Sequence, residues 1–348
     1  MISIDITGVR HDVTKNGGRV AATFAMCGLL AVALFAGMLF FGTAPLDAAQ
    51  VWGVLTGESA DEVARLIVMD VRLPMAVTAL VSGMALAVSG LLLQTTFDNP
   101  LAGPSILGIS TGASLGVAVV MLAFGGWLGT GVGYYTGILT GAFVGAGAVM
   151  GVLLLFSMFV RGNVMLLIIG ILIGYLASSA ISLLNFFSTQ QGVHSYVIWG
   201  MGNFGGLTWD RLGVYASLAC VAVGVAALFV KQLNALLLGH RYAESMGMNV
   251  KRTRNWLMAI AGVLASVVTA FCGPIGFLGL VMPHVARMAT GTANHAVLLP
   301  ATVAMGGTGA LFCAWLSVAC GGGQIIPVNA ITPVISIPII IYVIFKGK

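Results

Sequence analysis

The chain has 348 residues, of which 59% are hydrophobic and 7% are charged, whereas a soluble domain carries about 25% charged residues. This composition and a mean hydropathy of +1.05 exclude an ordinary water-soluble domain. The net charge of +5 lies in scattered loops and not on a basic stripe with interleaved aromatic residues, which argues against nucleic-acid binding. We therefore predict an integral membrane protein.

Three long stretches without Asp, Glu, Lys or Arg indicate how the chain crosses the membrane. They are residues 99–160, 162–209 and 288–345. A helix needs roughly 20 apolar residues to cross the hydrocarbon, so each stretch holds two or three crossings. None alternates between apolar and polar residues as the strands of a membrane β-barrel do. Because backbone groups in lipid must be bonded within their own element, we predict an all-α protein.

In chain order we predict a single transmembrane domain over residues 1–348 with about ten transmembrane helices. A cytoplasmic segment at 1–19 precedes the first helix, which is too long for a cleaved signal peptide. A polar periplasmic segment at 42–72 follows it and contains a short helix at the membrane surface. A cytoplasmic loop at 231–254 follows the sixth helix. The predicted spans are 20–41, 73–94, 106–124, 134–160, 164–187, 212–230, 255–272, 276–290, 297–316 and 330–345.

Lys and Arg residues gather on one side of this topology, and cytoplasmic loops carry the excess of these residues in membrane proteins. With the N-terminus in the cytoplasm, 12 lie on the inner side and 3 on the outer side. Both termini are therefore predicted to be cytoplasmic. The inner residues are Arg10, Lys15, Arg19, Arg161, Lys231, Arg241, Lys251, Arg252, Arg254, Arg287, Lys346 and Lys348, and the outer ones are Arg65, Arg72 and Arg211.

The predicted spans lack the residues that several mechanisms require. They contain essentially no ionisable side chains, which secondary transporters and pumps use as relays. No G-x-x-x-x-G-K-[ST] motif occurs, so the chain has no P-loop for ATP. The five cysteines form no C-x-x-C pair and lie near no His that would suggest zinc, so we expect small buried hydrophobes. The absence of clustered His, Asp or Glu, or of Ser–His pairs, argues against a membrane-embedded enzyme.

The loop at 231–254 is the longest cytoplasmic loop of this topology. It has helical character around Ala243 and Met246, ends at Gly247 and continues into a basic run. A short amphipathic helix here would suit docking of a soluble motor subunit. The alternative is an ordinary positively charged inner loop, and this segment alone leaves both open.

Small residues and helix breakers mark three further positions. Ser82 to Gly90 places small residues along one helix, which allows a neighbour to approach closely. Breaks are expected at Asn99-Pro100 and Gly103-Pro104, and again at Gly273-Pro274, because proline disfavours helix in the residue before it. The two Gly-Pro breaks also suggest a weak internal repeat with inverted topology.

Five ordered blocks between Arg72 and the C-terminus carry a resemblance to a known family. The first block is Arg72-Leu73-Pro74 with Ser82–Gly90 and Gln94, and the second is Asn99-Pro100-Leu101-Ala102 with Pro104, Leu107-Gly108 and Gly112-Ala113. The third is Phe187-Ser188-Thr189 with Trp199–Gly202 and Phe204-Gly205-Gly206. The fourth is Leu238-Gly239 with Ala243 and Met246-Gly247, and the fifth is Gly273–Val281 with Pro283-His284 and Arg287. These blocks resemble the FecCD-type permeases, the transmembrane subunits of ATP-binding-cassette (ABC) importers for iron–siderophores, haem and cobalamin.

The resemblance implies a type II ABC importer permease fold in the bacterial inner membrane. It implies a second permease copy or a paralogue around one pathway, separate ATPase subunits that hold ATP and Mg, and a periplasmic binding protein that delivers the cargo. This chain would then be a transporter subunit without catalytic residues, metal or cofactor of its own. An iron–siderophore or haem is the more strongly expected cargo and cobalamin the less expected one, because the first two are common cargoes in the family.

The resemblance also assigns residues. Two alternatives follow from the residues themselves: an interhelical hydrogen bond for Gln94, and polar termination of a helix for the gate residues. The implied roles are the substrate pathway for Asn185, Ser188, Thr189, Gln190 and Gln191; the cytoplasmic gate for Gly162 and Asn163; ATPase coupling for Leu238, Gly239, Ala243, Glu244, Met246 and Gly247; and binding-protein docking for Arg72.

The outer face departs from the family pattern. Met75 stands where a second arginine often follows, and Asn329 replaces a glycine near the C-terminus. Three other positions that are often charged are Ala314, Val318 and Ile325, with Gln324 adjacent to the last. Charge-paired docking of a binding protein is therefore in question. The outer acids Glu58, Asp61 and Glu62, or a partner permease that keeps the arginines, are the alternatives.

The main competing function is a stand-alone channel or facilitator that is not coupled to ATP. Such a protein would need no coupling loop and would tolerate disruption of Ala243–Gly247.

Overall fold

The computed structural model describes residues 6–58, 61–124, 132–160 and 162–346. Arg161 and Lys348, which entered the count of inner-side charges, lie outside the described residues. Within the described ranges every regular element is a helix. The helices are α1 (Ile6–Phe40), α2 (Ala48–Thr56), α3 (Glu62–Arg65), α4 (Leu73–Phe97), α5 (Ile109–Ala118), α6 (Val132–Phe159), α7 (Asn163–Phe187), α8 (Gln190–Gly200), α9 (Trp209–Ala227), α10 (Val230–Leu237), α11 (His240–Ser245), α12 (Val250–Cys272), α13 (Leu278–Thr290), α14 (His295–Ala319) and α15 (Val328–Lys346).

The all-α prediction is confirmed, and each of the ten predicted spans coincides with a helix. Seven described helices are long and apolar enough to cross a membrane, in α1, α3–α4, α6, α7, α9, α12 and α14. Two shorter apolar helices lie at Ile109–Ala123 and Val328–Val343. The helix α13 has 13 residues. The number of crossings and the side of the termini stay predictions.

The helix that contains the second predicted span, 73–94, begins well before it, and the limits of the span itself stay a prediction. One continuous helix of 36 residues runs from Glu62 to Phe97, with a π-helical stretch at Leu66–Arg72. Asp61 caps its first turn, because its Oδ1 accepts hydrogen bonds from the N–H groups of the second and third residues that follow, at 3.0 and 3.1 Å. The π-helical stretch ends next to Pro74, which lacks the N–H that a regular helix would use. The first helix likewise begins at Ile6, well inside the predicted N-terminal segment.

The helix α4 forms the centre of the bundle and packs against α9, α12, α13 and α14. In the most apolar stretch of the Glu62–Phe97 helix 83% of the residues are buried, against 72% for α12 and 17% for α7. Glycines allow its close approach to two neighbours, as the small residues predicted. A Cβ on Gly83 would lie 2.1 Å from the carbonyl oxygen of Gly306, and one on Gly90 would lie 1.6 Å from that of Gly279. Side chains larger than hydrogen have no room at these crossings.

The helix breaks predicted at the Gly-Pro positions are present. No helix lies between Cys272 and Leu278, where Gly273 has a φ of +77° and Phe277 a φ of +67°. The segment from Asp98 to Gly108 turns the chain between α4 and α5, and both of these residues have positive φ. In the polar segment after α1, the predicted short helix is α2. Its position relative to a membrane remains a prediction.

Candidate functional site

Four predicted pathway residues lie where α7 ends and α8 begins, and the fifth, Asn185, lies just before them in the last turn of α7. Ser188 ends α7 and its Oγ donates a hydrogen bond to the carbonyl of Leu122 at 3.2 Å. Thr189 caps α8 by accepting from the N–H of Gly192 at 3.2 Å. The two residues that begin α8, Gln190 and Gln191, are exposed. The structure therefore places this polar group on one end of α7, and its role in transport stays a prediction.

Two serines that the sequence did not single out extend this group along α7. Ser178 and Ser182 are both exposed. Ser182 follows Ser178 by four residues and Asn185 follows Ser182 by three, which places all three on one face of the helix. Ser182 also donates to the carbonyl of Ser178 at 3.0 Å. The spacing can be read from the sequence, but a few serines in a long apolar stretch do not by themselves indicate a functional face. These polar residues lie in a helix that is mostly apolar; Ser179 is exposed beside them, and Asn185 is half-buried.

The predicted gate residues lie at the other end of α7. Gly162 is exposed, has an extended backbone and precedes the first residue of the helix. Asn163 begins α7, and its side chain lies outside the described residues. The structure thus brings these residues to a helix start, and the gate remains a prediction.

The predicted coupling residues form a compact element of two short helices. Leu238 and Gly239 join α10 to α11, and Gly239 has a φ of +98°. Ala243 is fully buried and anchors α11. Gly247, with a φ of +84°, ends α11 by donating its N–H to the carbonyl of Glu244 at 2.9 Å. This left-handed glycine is the usual way in which a helix is terminated.

One face of this element is apolar and uncovered. Leu238, Tyr242 and Met246 follow one another at four-residue spacing and are 62, 53 and 63% exposed. Leu237 beside them is 45% exposed. Tyr242 lies in α11 and Met246 directly follows its last residue, whereas Leu238 precedes the non-helical Gly239 and belongs to the junction with α10. We call Leu237, Leu238, Tyr242 and Met246 the α11 face.

Behind the α11 face, hydrogen bonds connect α10 to two long helices. The Oδ1 of Asn234 accepts from the backbone N–H of His295 at 2.8 Å and lies 3.0 Å from its Nδ1. The other ring nitrogen of His295 lies 2.9 Å from Thr95 Oγ1, at the end of α4. Asn234 also donates to Asn294, which caps α14, at 2.9 Å. His295 is fully buried, so these bonds fix α10 against α4 and α14.

Arg72 is not presented to the outside of the chain. It is 5% exposed, and its guanidinium donates to the carbonyls of Leu39 at 2.7 Å, Phe40 at 3.1 Å and Ala44 at 2.7 Å. A cation at the end of a helix satisfies carbonyls that have no partner within the helix, so Arg72 caps α1. Docking through this residue stays a prediction, and it would require these bonds to rearrange.

Asn329 joins three segments. Its Nδ2 donates to the carbonyl of Pro274 at 2.5 Å and to that of Gly200 at 3.3 Å. Its Oδ1 accepts from the N–H of Gly276 at 3.1 Å, and its own N–H donates to Met201 at 3.2 Å. The end of α8, the break between α12 and α13 and the start of α15 are thus bonded to one side chain.

The remaining sequence predictions concern Gln94, metals and cysteines. Gln94 donates its Nε2 to the carbonyl of Leu280 at 2.9 Å, which is the interhelical hydrogen bond expected. Among the described residues, no group of three His, Cys, Asp or Glu could hold a metal ion. The prediction that all cysteines are buried is wrong for Cys220 and Cys320, which are exposed on the isolated chain.

The sequence matches a known family along most of its length. The model of the FecCD transport family matches residues 29–346. The hemin transport system permease protein HmuU of Yersinia pestis is 34% identical over 92% of this chain and 94% of that protein. The vitamin B12 import system permease protein BtuC of Klebsiella pneumoniae is 32% identical over 87% of this chain and 89% of that protein.

Solved structures agree with these sequence relatives. A structure described as an inward-facing conformation of a metal-chelate type ABC transporter has a TM-score of 0.81 and 29% identity, covering 93% of this chain and 98% of that one. PsaBC from Streptococcus pneumoniae shares the fold at a TM-score of 0.52 and 14% identity, covering 84% and 95%. The chain is a multi-pass membrane protein and belongs to the FecCD transport family.

Proposed function

We propose that this chain is the transmembrane permease subunit of an ABC importer that moves an iron–siderophore, haem or cobalamin-type chelate from periplasm to cytoplasm. Separate ATPase subunits, with their ATP and Mg, supply the energy, and a periplasmic binding protein delivers the cargo. The family, the haem and cobalamin permeases among its relatives, and the inner-side charge bias support this proposal. The proposed location is the bacterial inner membrane.

The observation that carries the proposal is the α11 face. An exposed apolar surface on a soluble or cytoplasmic element indicates a protein contact. The helices that bear it have eight and six residues, too few to cross a membrane. Asn234 and His295 bond the same element to α4 and α14. The α11 face is therefore suited to receive an ATPase subunit and to pass its movement to the bundle.

A second copy of the chain, or a paralogue, would complete the pathway beside α7. Because α7 is the least buried long helix, its side chains need cover from lipid or from another subunit. The polar stripe of Ser178, Ser182 and Asn185 with the α7–α8 junction would face the pathway, since polar groups inside a membrane are placed toward protein or water. We place cargo contacts there.

On the outer side, exposed acids are better placed than Arg72 to meet a binding protein. Glu58, Asp61 and Glu62 are all exposed, whereas the guanidinium of Arg72 is buried among carbonyls. We therefore propose that these carboxylates pair with basic residues of the binding protein. Such rim pairs chiefly set the association rate and the partner choice.

Replacement of Gly247 with leucine tests the coupling. The site has a φ of +84° and open space where a Cβ would lie. The change therefore strains the backbone at the end of α11 without a clash in the bundle. We expect ATP hydrolysis to be retained and uptake to be lost. Gly57→Leu is the matched control, because Gly57 has a φ of +78°, equally open space and a place at the end of α2. Uptake should be measured in proteoliposomes that contain the whole transporter, with hemin and cyanocobalamin as probes. Unchanged uptake with Gly247→Leu, or uptake without any ATPase, would favour the stand-alone channel.

The cargo is tested by growth of a deletion strain on single iron or cobalamin sources. Rescue by this chain on hemin or a ferric siderophore, and not on cyanocobalamin, would fix the cargo as an iron chelate. Rescue that needs no ATPase gene would contradict the ABC mechanism.

A further inference from the structure

An amphipathic groove lies between the ends of α6 and α12, and none of the residues that line it belongs to the α7 stripe or the α11 face. Its volume is about 530 Å³. Lys251 and Arg252 line its polar end, Leu154 and Ala259 line its apolar end, and Trp256 lies between them. Both basic side chains and the Trp ring are exposed. The groove thus changes from cationic to apolar along its length.

Hydrogen bonds fix the two walls of this groove relative to each other. Arg254 is 4% exposed and donates through Nη2 to the carbonyl of Ser157 at 2.9 Å and to its Oγ at 2.8 Å. Ser157 Oγ in turn donates to Asn255 Oδ1 at 2.6 Å. Ser157 belongs to α6 and the other two residues to α12, so the groove is a built feature of the bundle.

The depth of the groove indicates the kind of molecule that can fill it. From Lys251 to Ala259 the helix rises about 12 Å, at 1.5 Å per residue. Both α6 and α12 meet the length and hydropathy of membrane spans. The predicted span at 255–272 places the apolar end, at Ala259, within the hydrocarbon, which a lipid chain reaches. A tryptophan at the level between charge and hydrocarbon is typical of a membrane interface.

The charge of the groove indicates the headgroup. Two cations lie at its mouth, and none of the residues that line it is acidic. Basic pockets between membrane helices on the cytoplasmic side bind anionic headgroups. We propose that this groove is a binding site for an anionic phospholipid, with the phosphate at Lys251 and Arg252 and an acyl chain along Trp256, Leu154 and Ala259.

Fluorescence quenching by brominated lipids tests the site on the full chain, purified with whatever subunits accompany it. Phosphatidylglycerol and phosphatidylcholine with dibrominated acyl chains serve as probes. The fluorescence that Trp256→Phe removes is the signal of the groove. We expect phosphatidylglycerol to quench this signal at lower mole fraction than phosphatidylcholine. Lys251→Gln with Arg252→Gln should weaken that preference by roughly 25-fold, about fivefold for each charge lost near the lipid surface.

A double variant of the same charge, Lys231→Gln with Arg241→Gln, is the control, because both residues are exposed, on α10 and α11, and neither lines the groove. It should leave the preference unchanged. Equal quenching by the two lipids, or an equal loss in both double variants, would overturn the site. Quenching abolished when an ATPase subunit is bound would assign the groove to that subunit instead. The comparison of the two lipids and of the two double variants needs neither cargo nor ATP hydrolysis, so its failure is distinct from failure of the proposed function.

Discussion

Replacement of Gly90 with alanine tests whether close glycine contacts hold the centre of the bundle. The added Cβ would lie 1.6 Å from the carbonyl oxygen of Gly279 and 2.5 Å from its carbon. Non-bonded carbon contacts are stable at about 3.5–4.0 Å. Because the opposing atoms belong to the backbone, no side-chain rotation can relieve the clash. The helices α4 and α13 must therefore move apart by about 2 Å.

The cost of this separation follows from the packing it removes. Overpacking of a core costs about 1–3 kcal/mol and occasionally more. Separation also weakens the bond from Gln94 to Leu280 at the same interface, whose loss costs about 0.5–1.5 kcal/mol. The higher helix propensity of alanine returns about 1 kcal/mol. We expect the free energy of unfolding to fall by about 2 kcal/mol or more.

Gly224→Ala in α9 is the control, because no atom lies within 4 Å of a Cβ there. It should be neutral or stabilising by up to about 1 kcal/mol. A thiol-reactive fluorescent dye can follow unfolding, since Cys27, Cys272 and Cys313 are buried. Both variants should be heated at one scan rate, because unfolding in detergent is often irreversible. If Gly90→Ala melted with the wild type, the close approach of α4 and α13 would be refuted.

Three other substitutions test the side chains that bond the ends of the bundle. Asn234→Ala should lower stability by about 1–3 kcal/mol, because it leaves buried donors of His295 unpaired; an unchanged melting midpoint would contradict this network. Asn329→Gly removes the side chain that joins these segments and should speed hydrogen exchange at Gly276, whose N–H it leaves without that acceptor; unchanged exchange would show that Asn329 does not hold the break. Arg72→Glu places a carboxylate against three carbonyls, so we expect little folded protein by size-exclusion chromatography. Folded protein with normal uptake would remove Arg72 from both the helix cap and the partner interface.

Hydropathy and small-residue spacing predict most of the fold because they are local properties of the chain. The glycine contact at Gly90 is an example, since its series of small residues is visible without the partner helix. The start of α3–α4 at Glu62 is not predictable in this way. Asp70 and Arg72 lie inside the helix, and Arg72 is tolerated there only because the distant end of α1 supplies three carbonyls.

The candidate sites also differ in whether local sequence or contacts between distant residues determine them. The end of α11 at Gly247 follows from local sequence, because a glycine after a short helical run predicts a left-handed terminus. The contacts of His295 do not, since Asn234 is 61 residues away and Thr95 is 200 residues away along the chain. No periodic pattern links such positions. The polar stripe of Ser178 and Ser182 was detectable by spacing, but only the exposure of α7 gives it meaning.

The same contacts determine how movement at the α11 face would spread under the proposed function. Asn234 and His295 bond α10 to the ends of α4 and α14, which interlock through Gly83 and Gly306. Packed helices of this kind move together, because interfaces and cores shift between discrete arrangements instead of deforming continuously. By contrast α7 has the smallest buried share of the long apolar helices, and its close glycine contacts are with Leu107 and Gly108 before α5, not with α4 or α14. We therefore expect an ATPase stroke to displace α4 and α14 as one block relative to α7, so that the polar stripe changes its neighbours while the glycine crossings stay closed.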